Sequence, residues 1–242
     1  MRETTRATGP PSPADVSRIG AAFESVVERI AQAASRSDRD AASVRLIAVS
    51  KTVPLARIRE LLDLGHTLLG ENRVQEALEK MDRLDRVATF HLIGHLQRNK
   101  ARHAVGRFEM IHGVDSEALA VEIDRRAGAA GIRQAILLQV NLSNEPTKAG
   151  VLEDGLPGLV EGVSALPHVD LRGLMTIPPP VDDPELSRVW FVRLRKTRNR
   201  VADRFGLALP DLSMGMTDDF EVAVEEGATL VRVGRAIFGE RA

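Results

Sequence analysis

The stretch "LIAVSKTVP" (residues 46–54) has the composition of a buried strand followed by a turn. Its first four residues are apolar, as in a strand that is covered on both faces, and the Val53-Pro54 pair marks the turn. A doubly wound open sheet usually carries a glycine-rich turn after its first strand. This turn contains no glycine, so the stretch favours a closed barrel over that alternative.

Similar apolar or β-branched runs recur along the rest of the chain, with helical stretches between them. Several of the helical stretches end in Gly, a common C-cap. This alternation with short connections is typical of parallel βαβ units. Eight units without a break in composition predict a single (β/α)8 barrel of the TIM type. The predicted strands are residues 45–51, 67–72, 89–94, 110–115, 135–141, 171–177, 209–215 and 229–235.

Two segments precede the first strand. Residues 1–13 contain one Gly, three Pro and little to bury, so we predict a disordered tail there and a barrel domain over residues 14–242. Residues 15–35 are predicted to form an extra amino-terminal helix, because their apolar positions follow i, i+3, i+4 spacing. Those positions are Val16, Ile19, Phe23, Val26, Val27 and Ile30.

Composition excludes several classes of function. The 242 residues match the length of about 250 that a single barrel needs. A net charge of -1 offers no field for nucleic acid or an anionic membrane. The absence of Cys removes disulfides, thiolate metal sites and Cys nucleophiles, and no metal site is predicted. No apolar run approaches the ~20 residues of a membrane span, so a cytoplasmic protein is predicted.

Lys51 is the first candidate site residue. Function in such barrels lies at the carboxyl ends of the strands, and Ile47, Val49 and Lys51 share one side of the first strand by the two-residue period. If Ile47 and Val49 fill the barrel, Lys51 points into its mouth, where a partly desolvated amine can attack a carbonyl carbon and form a Schiff base. The alternative is a surface lysine that extends from the strand end into solvent.

A candidate phosphate site follows the seventh and eighth strands, where barrels often bind phosphate. In "SMGMTDD" (213–219), Ser213, Gly215 and Thr217 form a small-residue turn that leads into a helix, whose first backbone amides suit a phosphate. Gly234 and Arg235 offer a second backbone cradle. The alternative is an ordinary helix N-cap at Thr217 or Asp218.

Arg232 lies inside "LVRVG" (230–234), a strand that should be covered on both faces. A guanidinium cannot be buried unpaired, so Arg232 needs either a protein carboxylate or a ligand acceptor, and by alternation it shares a side with Leu230 and Gly234. Together the candidates supply an amine for an aldehyde, a cradle for a phosphate and a cation within a ring's width. Pyridoxal 5'-phosphate (PLP) matches all three.

Seven motifs, in order and spacing, resemble those of the pyridoxal phosphate homeostasis proteins from Arg45 to Arg241. They are "AVSKT", "GENRVQE", "HLIGHLQRNK", "VNLSNEPTKAG", "GLMTIP", "SMGMTDDF" and "VRVGRAIFGER". The resemblance implies a barrel similar to the amino-terminal domain of alanine racemase, with PLP held as an aldimine on Lys51.

The resemblance also implies the other cofactor-binding residues. Arg232 would face the pyridine nitrogen and Asn72 would lie near the ring, while Met175, at the end of the sixth strand, completes the predicted set. The predicted phosphate contacts, partly through backbone amides, are Ser213, Gly215, Met216, Thr217, Gly234 and Arg235. The sequence departs from the usual pattern at Arg73, His95 and Arg235. The last change removes a hydroxyl, so only the backbone amide of Arg235 is expected to contribute.

A PLP carrier is predicted rather than an enzyme. Arg232 disfavours protonation of the ring nitrogen and so weakens the cofactor as an electron sink. The related racemases add a tyrosine base, and this chain has no Tyr. We expect buffering and delivery of PLP to PLP-dependent apoenzymes by a monomer or weak dimer, with an indirect effect on amino-acid and keto-acid metabolism.

Two rivals remain open from the sequence. One is a PLP-dependent, racemase-like enzyme that uses His95 or Glu71 as its base, and the other is an aldolase that uses Lys51 without a cofactor. Among the other lysines, Lys148 is expected to be either an exposed loop residue or a second PLP contact. Lys80, Lys100 and Lys196 are predicted to be solvated helix residues.

Overall fold

Eight parallel strands close into a barrel in the order β1-β2-β3-β4-β5-β6-β7-β8. The computed structural model describes residues 13–240, so the predicted tail at 1–13 lies outside the described residues except for Pro13. All eight predicted strands are found, and the predicted (β/α)8 barrel is confirmed. The strands are β1 (Arg45–Val49), β2 (Leu68–Glu71), β3 (Thr89–His95), β4 (Met110–Val114), β5 (Gln134–Gln139), β6 (Val169–Met175), β7 (Asp211–Met216) and β8 (Leu230–Val233).

A helix follows every strand, as the alternation predicts. Within residues 13–240, α2 follows β1 and the series continues to α9, which follows β8. The helices are α1 (Pro13–Arg36), α2 (Leu55–Asp63), α3 (Val74–Arg83), α4 (Ala101–Ala104), α5 (Glu117–Ala129), α6 (Leu156–Ser164), α7 (Arg188–Phe205), α8 (Phe220–Glu225) and α9 (Arg235–Phe238). None of these helices is long and apolar enough to cross a bilayer.

The core has two layers because side chains alternate across each strand. One layer packs between the strands and the surrounding helices. The other is a smaller apolar cluster at the inward positions: Ile47, Val49, Ile93, Met110, Leu137, Met175 and Leu230. The prediction that Ile47 and Val49 fill the barrel is confirmed. It follows that Lys51, two residues further along the same side, stands at the mouth.

The extra helix α1 covers the seam where β8 pairs with β1. It packs against α2, α8 and α9, with Ile19, Val26 and Ile30 buried. Since α8 and α9 are only 6 and 4 residues long, they leave apolar surface that the 24 residues of α1 cover. Beyond α1, Arg39 fastens the chain to the barrel through hydrogen bonds to the carbonyls of Val224 (2.5 Å) and Ala228 (2.9 Å). The predicted helix at 15–35 is therefore confirmed.

Gly173 marks the closest approach between two strands. It is paired with Asp211 across β6 and β7, and a Cβ built at this position would lie 1.8 Å from the carbonyl oxygen of Asp211. Backbone, unlike a flexible side chain, cannot move aside cheaply. Glycine at this position therefore sets the β6–β7 spacing.

We expect Gly173→Ala to lower the free energy of unfolding by about 2–3 kcal/mol, because the added methyl forces β6 away from β7. Gly158→Ala in α6 is the matched control, since a Cβ there meets nothing within 4 Å. That change should raise the unfolding free energy by about 0.5–1 kcal/mol through helix propensity. Urea denaturation of both variants measures the two values, and an unchanged Gly173→Ala midpoint would contradict the packing argument.

Candidate cofactor-binding site

A cavity of about 630 Å³, measured out to its opening on solvent, lies at the carboxyl ends of the strands. Seven of the ten predicted cofactor-binding residues line it: Lys51, Asn72, Met216, Thr217, Arg232, Gly234 and Arg235. These residues come from the ends of β1, β2, β7 and β8. The barrel thus brings the candidate amine, the candidate cation and both candidate phosphate turns to one place.

The other three predicted residues lie below or beside the cavity without lining it. Met175 belongs to the inner apolar cluster, and the buried Ser213 hydroxyl is bonded to Arg232. Gly215 has φ +90, and a Cβ on it would meet the Cβ of Ala223 at 2.5 Å. Gly215 thus lets the end of β7 lie directly on α8. A direct cofactor contact by any of the three stays a prediction.

Arg232 is 3% exposed and its guanidinium is bonded to neutral acceptors. Nη1 donates to Oγ of Ser213 at 2.6 Å, and Nη2 donates to the carbonyl of Thr176 at 2.9 Å. Within residues 13–240 it forms no ion pair with a carboxylate, so the carboxylate partner that the sequence left open is not found. Burial lowers the pKa of Arg232 to about 10, against the opposing charge of Asp219. The group is therefore a cation at neutral pH, and it is placed to meet an acceptor on a ligand.

The turns after β7 and β8 form the candidate phosphate cradle. The N–H of Gly234 donates to Oγ1 of Thr217 at 3.4 Å and links the two turns, whereas the N–H of Met216 is taken by Oδ1 of Asp219 at 2.7 Å. A Cβ on Gly234 would lie 3.2 Å from the carbonyl oxygen of Val49, so a larger residue would crowd the strand next to Lys51.

The guanidinium of Arg235 is paired with carboxylates at the edge of this cradle. It forms an ion pair with Asp218, and Nη1 lies 3.7 Å from Oε1 of Glu240. Both carboxylates are at the exposed rim. That the backbone amide of Arg235, and not its side chain, contacts a ligand stays a prediction.

Lys80 holds the backbone on the amino side of Lys51, and the prediction that it is a solvated helix residue is wrong. It is 8% exposed, and its Nζ donates to the carbonyl of Ser50 at 2.6 Å and to Oε1 of Glu71 and of Glu76, each at 2.7 Å. The Ser50 hydroxyl donates to the same Glu71 oxygen at 2.7 Å. We call Ser50, Glu71, Glu76 and Lys80 the lysine brace.

The lysine brace also holds the carboxyl side of Lys51. Oε1 of Glu76 accepts the N–H of Thr52 at 2.5 Å, and Thr52 has φ +62, a left-handed conformation that a β-branched residue adopts only when its surroundings impose it. Both peptide neighbours of Lys51 are therefore fixed from outside the barrel. The brace leaves only the side-chain torsions of Lys51 to aim its amine.

Neither predicted alternative base occupies the cavity described above. Glu71 points outward into the lysine brace, where burial raises its pKa while Lys80 and Ser50 act in the opposite direction. His95 is half exposed, with Nδ1 3.3 Å from Asp115, and lines an adjoining cavity. Lys148 lines that adjoining cavity too, and its Nζ lies 2.7 Å from Oε1 of Glu145.

Sequence reasoning placed Val49 inside the barrel but missed Ile93 and Ile177, which together with Val49 supply the apolar wall of the cavity. The two-residue period could have found them, since Ile177 follows the inward Met175 and Ile93 ends the inward positions of "TFHLIG". It also missed the role of Thr176. The Thr176 hydroxyl donates a hydrogen bond to the carbonyl of Val140, and the Thr176 carbonyl accepts one from Arg232.

Sequence comparisons identify relatives over nearly the whole chain. The family model described as alanine racemase, N-terminal domain, matches residues 21–242. The pyridoxal phosphate homeostasis protein of Aquifex aeolicus is 46% identical over 217 residues, covering 89% of this chain and 95% of the relative. The protein of the same name from Pseudomonas aeruginosa is 42% identical, with 93% and 97% covered.

Solved structures give the same picture. PipY of Synechococcus elongatus, solved with PLP bound, is 43% identical with a TM-score of 0.77, covering 88% of this chain and all (100%) of that one. Alanine racemase of Clostridium difficile has a TM-score of 0.71 at 14% identity and covers 92% of this chain and 56% of its own. The racemase likeness concerns the fold alone.

We expect Lys80→Met to lower the free energy of unfolding by about 3 kcal/mol, because it leaves the buried Glu71 carboxylate without its cation. Lys196→Met, at an exposed position of α7, is the matched control and should change it by less than about 0.5 kcal/mol. Guanidinium denaturation compares the two. A Lys80→Met protein as stable as the control would refute the burial of this ion pair.

Proposed function

This chain belongs to the pyridoxal phosphate homeostasis protein family, and on that basis we propose that it binds PLP at the mouth of its barrel through Lys51. The protein takes part in PLP homeostasis by holding the cofactor and releasing it to apoenzymes that require it. One observation carries the proposal: the buried Arg232 guanidinium, which pairs with no carboxylate of residues 13–240, lines the same cavity as a lysine whose backbone is braced on both sides. The predicted cytoplasmic location stays a prediction.

The residues of the cavity fit the chemistry of PLP. The cofactor has an aldehyde, a pyridine nitrogen and a phosphate, and the cavity offers an amine, a cationic donor and a cradle of backbone amides. A bound acceptor would also give the Arg232 cation a further partner beside the neutral acceptors Ser213 and Thr176.

Each residue has a role that follows from its position. When bound, the cofactor supplies an aldehyde carbon, which a primary amine can capture covalently; Lys51 is that amine. Arg232, held by Ser213 and Thr176, donates toward the ring nitrogen. Thr217 and the backbone of Gly234 and Arg235 bind phosphate oxygens.

The surrounding residues complete the site. Asn72 would lie beside the ring of a bound cofactor, and Val49, Ile93 and Ile177 would exclude water from it. Met175 and Gly215 support the site from the inner cluster and from the end of β7, and the backbone of Met216 leads into the phosphate turn. The lysine brace fixes the backbone on both sides of Lys51. Cofactor binding therefore loses little backbone entropy at this position.

A carrier without turnover is the function that this arrangement favours. Arg232 is a permanent donor, so it keeps the ring nitrogen unprotonated and withholds the electron sink that carbanion chemistry needs. Glu71 faces away from the cavity, and the chain has no Tyr to act as a second base. The relatives, named as homeostasis proteins, are compatible with this role.

Borohydride reduction of the yellow, PLP-loaded protein should place a pyridoxyl group on the peptide that carries Lys51, because reduction fixes the bond between the amine and the aldehyde. Peptide mass spectrometry locates the label. Lys51→Ala should lose the label at this position, whereas Lys148→Ala, a lysine at the same mouth, should keep it. A wild-type label on Lys148, or a colourless protein that traps only a keto substrate, would contradict the assignment.

The loaded protein should incorporate no deuterium at Cα of amino acids in D2O beyond what free PLP produces, since Arg232 weakens the cofactor as an electron sink. Nuclear magnetic resonance of a panel that includes alanine measures the exchange. In parallel, the protein should restore activity to a PLP-dependent apoenzyme by giving up its cofactor. Exchange that turns over many times per protein, and that His95→Ala abolishes, would establish the racemase-like alternative instead.

A further inference from the structure

Two histidines lie inside the barrel, where the neighbouring inward positions are apolar. His91 in the middle of β3 and His112 in the middle of β4 are both fully buried. They share the inward side with Ile93 and Met110. A polar ring in such a place requires hydrogen-bond partners, and nothing in the function proposed above uses either ring.

The two rings form a continuous chain of hydrogen bonds from one end of the barrel to the cofactor cavity. Nε2 of His91 lies 3.2 Å from Oε1 of Glu109, which is half exposed just before β4. Nδ1 of His91 lies 3.0 Å from Nε2 of His112, and Nδ1 of His112 lies 2.9 Å from Oγ of Ser213. Arg232 bonds to the same Ser213 oxygen. We call Glu109, His91, His112, Ser213 and Arg232 the interior relay.

The two ends of the interior relay impose the same direction on every hydrogen bond. A carboxylate only accepts, so His91 carries its proton on Nε2 and presents a bare Nδ1 to His112. His112 must then donate from Nε2 and accept at Nδ1. From the other end, a guanidinium only donates, so the Ser213 oxygen accepts from Arg232 and its own hydrogen goes to Nδ1 of His112. Both arguments give the same tautomer for both rings.

We propose that His91 and His112 are positioning residues for the cofactor site: as neutral Nε2–H tautomers they fix the Ser213 hydroxyl and so hold the Arg232 guanidinium toward the cavity. The inference rests on the proposed function, in which Arg232 donates a hydrogen bond to the ring nitrogen of PLP. It goes beyond that function in assigning roles to two residues that do not line the cavity.

Burial is the main reason why both rings stay neutral. Burial lowers the pKa of His91, with Arg45 acting in the same direction and Glu109 and Asp211 opposing it. Burial also lowers the pKa of His112, with His91, Arg232 and Arg45 adding to the effect. An extra proton on Nδ1 of His91 would set two N–H groups against each other between His91 and His112, and an extra proton on Nδ1 of His112 would remove the acceptor of the Ser213 hydroxyl. Acid should therefore release Arg232 from its orientation.

Imidazole ¹⁵N shifts test the hydrogen-bond pattern without any cofactor. In ¹⁵N-histidine-labelled protein at pH 7, two of the 6 histidines should be neutral Nε2–H tautomers that stay neutral well below pH 6.5, with the signals assigned by His91→Asn and His112→Asn. A cationic ring at pH 7, or an Nδ1–H tautomer at either position, would overturn the proposal.

Affinity for PLP tests the consequence. His112→Phe should weaken binding about tenfold, because the Arg232 cation is no longer held in place to donate a hydrogen bond to the ligand. Tenfold is the size expected when one hydrogen bond to a charged group is lost. His112→Asn retains an acceptor near Nδ1 and should lose less than about threefold. Leu92→Ala, on the outward face of β3, is the matched control: it destabilises the barrel but should leave the affinity unchanged. Should His112→Phe fail to fold, Ser213→Ala removes the same link and should weaken binding by a similar factor.

A double-mutant cycle separates positioning from general damage. In an Arg232→Gln background, His112→Phe should weaken binding no further, because its effect passes through Arg232. Equal affinity of His112→Phe and the wild type, or an undiminished loss in the Arg232→Gln background, would overturn this inference alone. A wild-type protein that takes up no PLP would overturn the proposed function and this inference with it, whatever the tautomers are.

Discussion

The pairing of β8 with β1 is the contact on which the candidate site depends. Their register places Arg232 beside Ile47, so the strand that carries the cation lies next to the strand that leads to Lys51. In an open sheet with the same strand order, β1 and β8 would be the two edge strands, so Lys51 and Arg232 would lie at opposite edges. Closure therefore creates the site, which explains why this seam has additional support from α1 and from Arg39.

Two polar networks act on the site from opposite sides of the barrel wall. The lysine brace lies between β2 and α3 and fixes the backbone around Lys51, while the interior relay lies inside the barrel and bears on Arg232. Each buries charged or polar groups at a cost in desolvation. In return, the covalent and the electrostatic partners of a ligand are set before it binds. The two networks share no residue, so damage to one leaves the geometry of the other intact.

Much of this arrangement could be predicted from the sequence, because it rests on local patterns. Short apolar or β-branched runs located eight strands, and the two-residue period pointed Lys51 into the mouth. Small residues marked the turns after β7 and β8. Lys80 shows what was overlooked. Lys80 lies three residues after the buried Ala77 on α3, so it falls on the buried face of the helix. Glu76, four residues before it, was recognisable as an ion-pair partner. The prediction was wrong because a lysine is rarely buried unless it is paired, and the pairing was not considered.

The interior relay lay beyond sequence reasoning for a different reason. His91 and His112 meet through the register between β3 and β4, which shifts between Leu92 and His95, and Ser213 reaches them only across the closed barrel. No local pattern encodes such distances.

The fixed charge of Arg232 and the fixed hydrogen-bond direction of the interior relay distinguish the proposed carrier from an enzyme built on this fold. An enzyme needs a proton-transfer group that changes its protonation state during turnover. Here Arg232 remains a cation, and the interior relay behind it is a one-way chain that one added proton would break. The groups that we propose hold the cofactor are therefore static, and such a site suits binding and release better than catalysis.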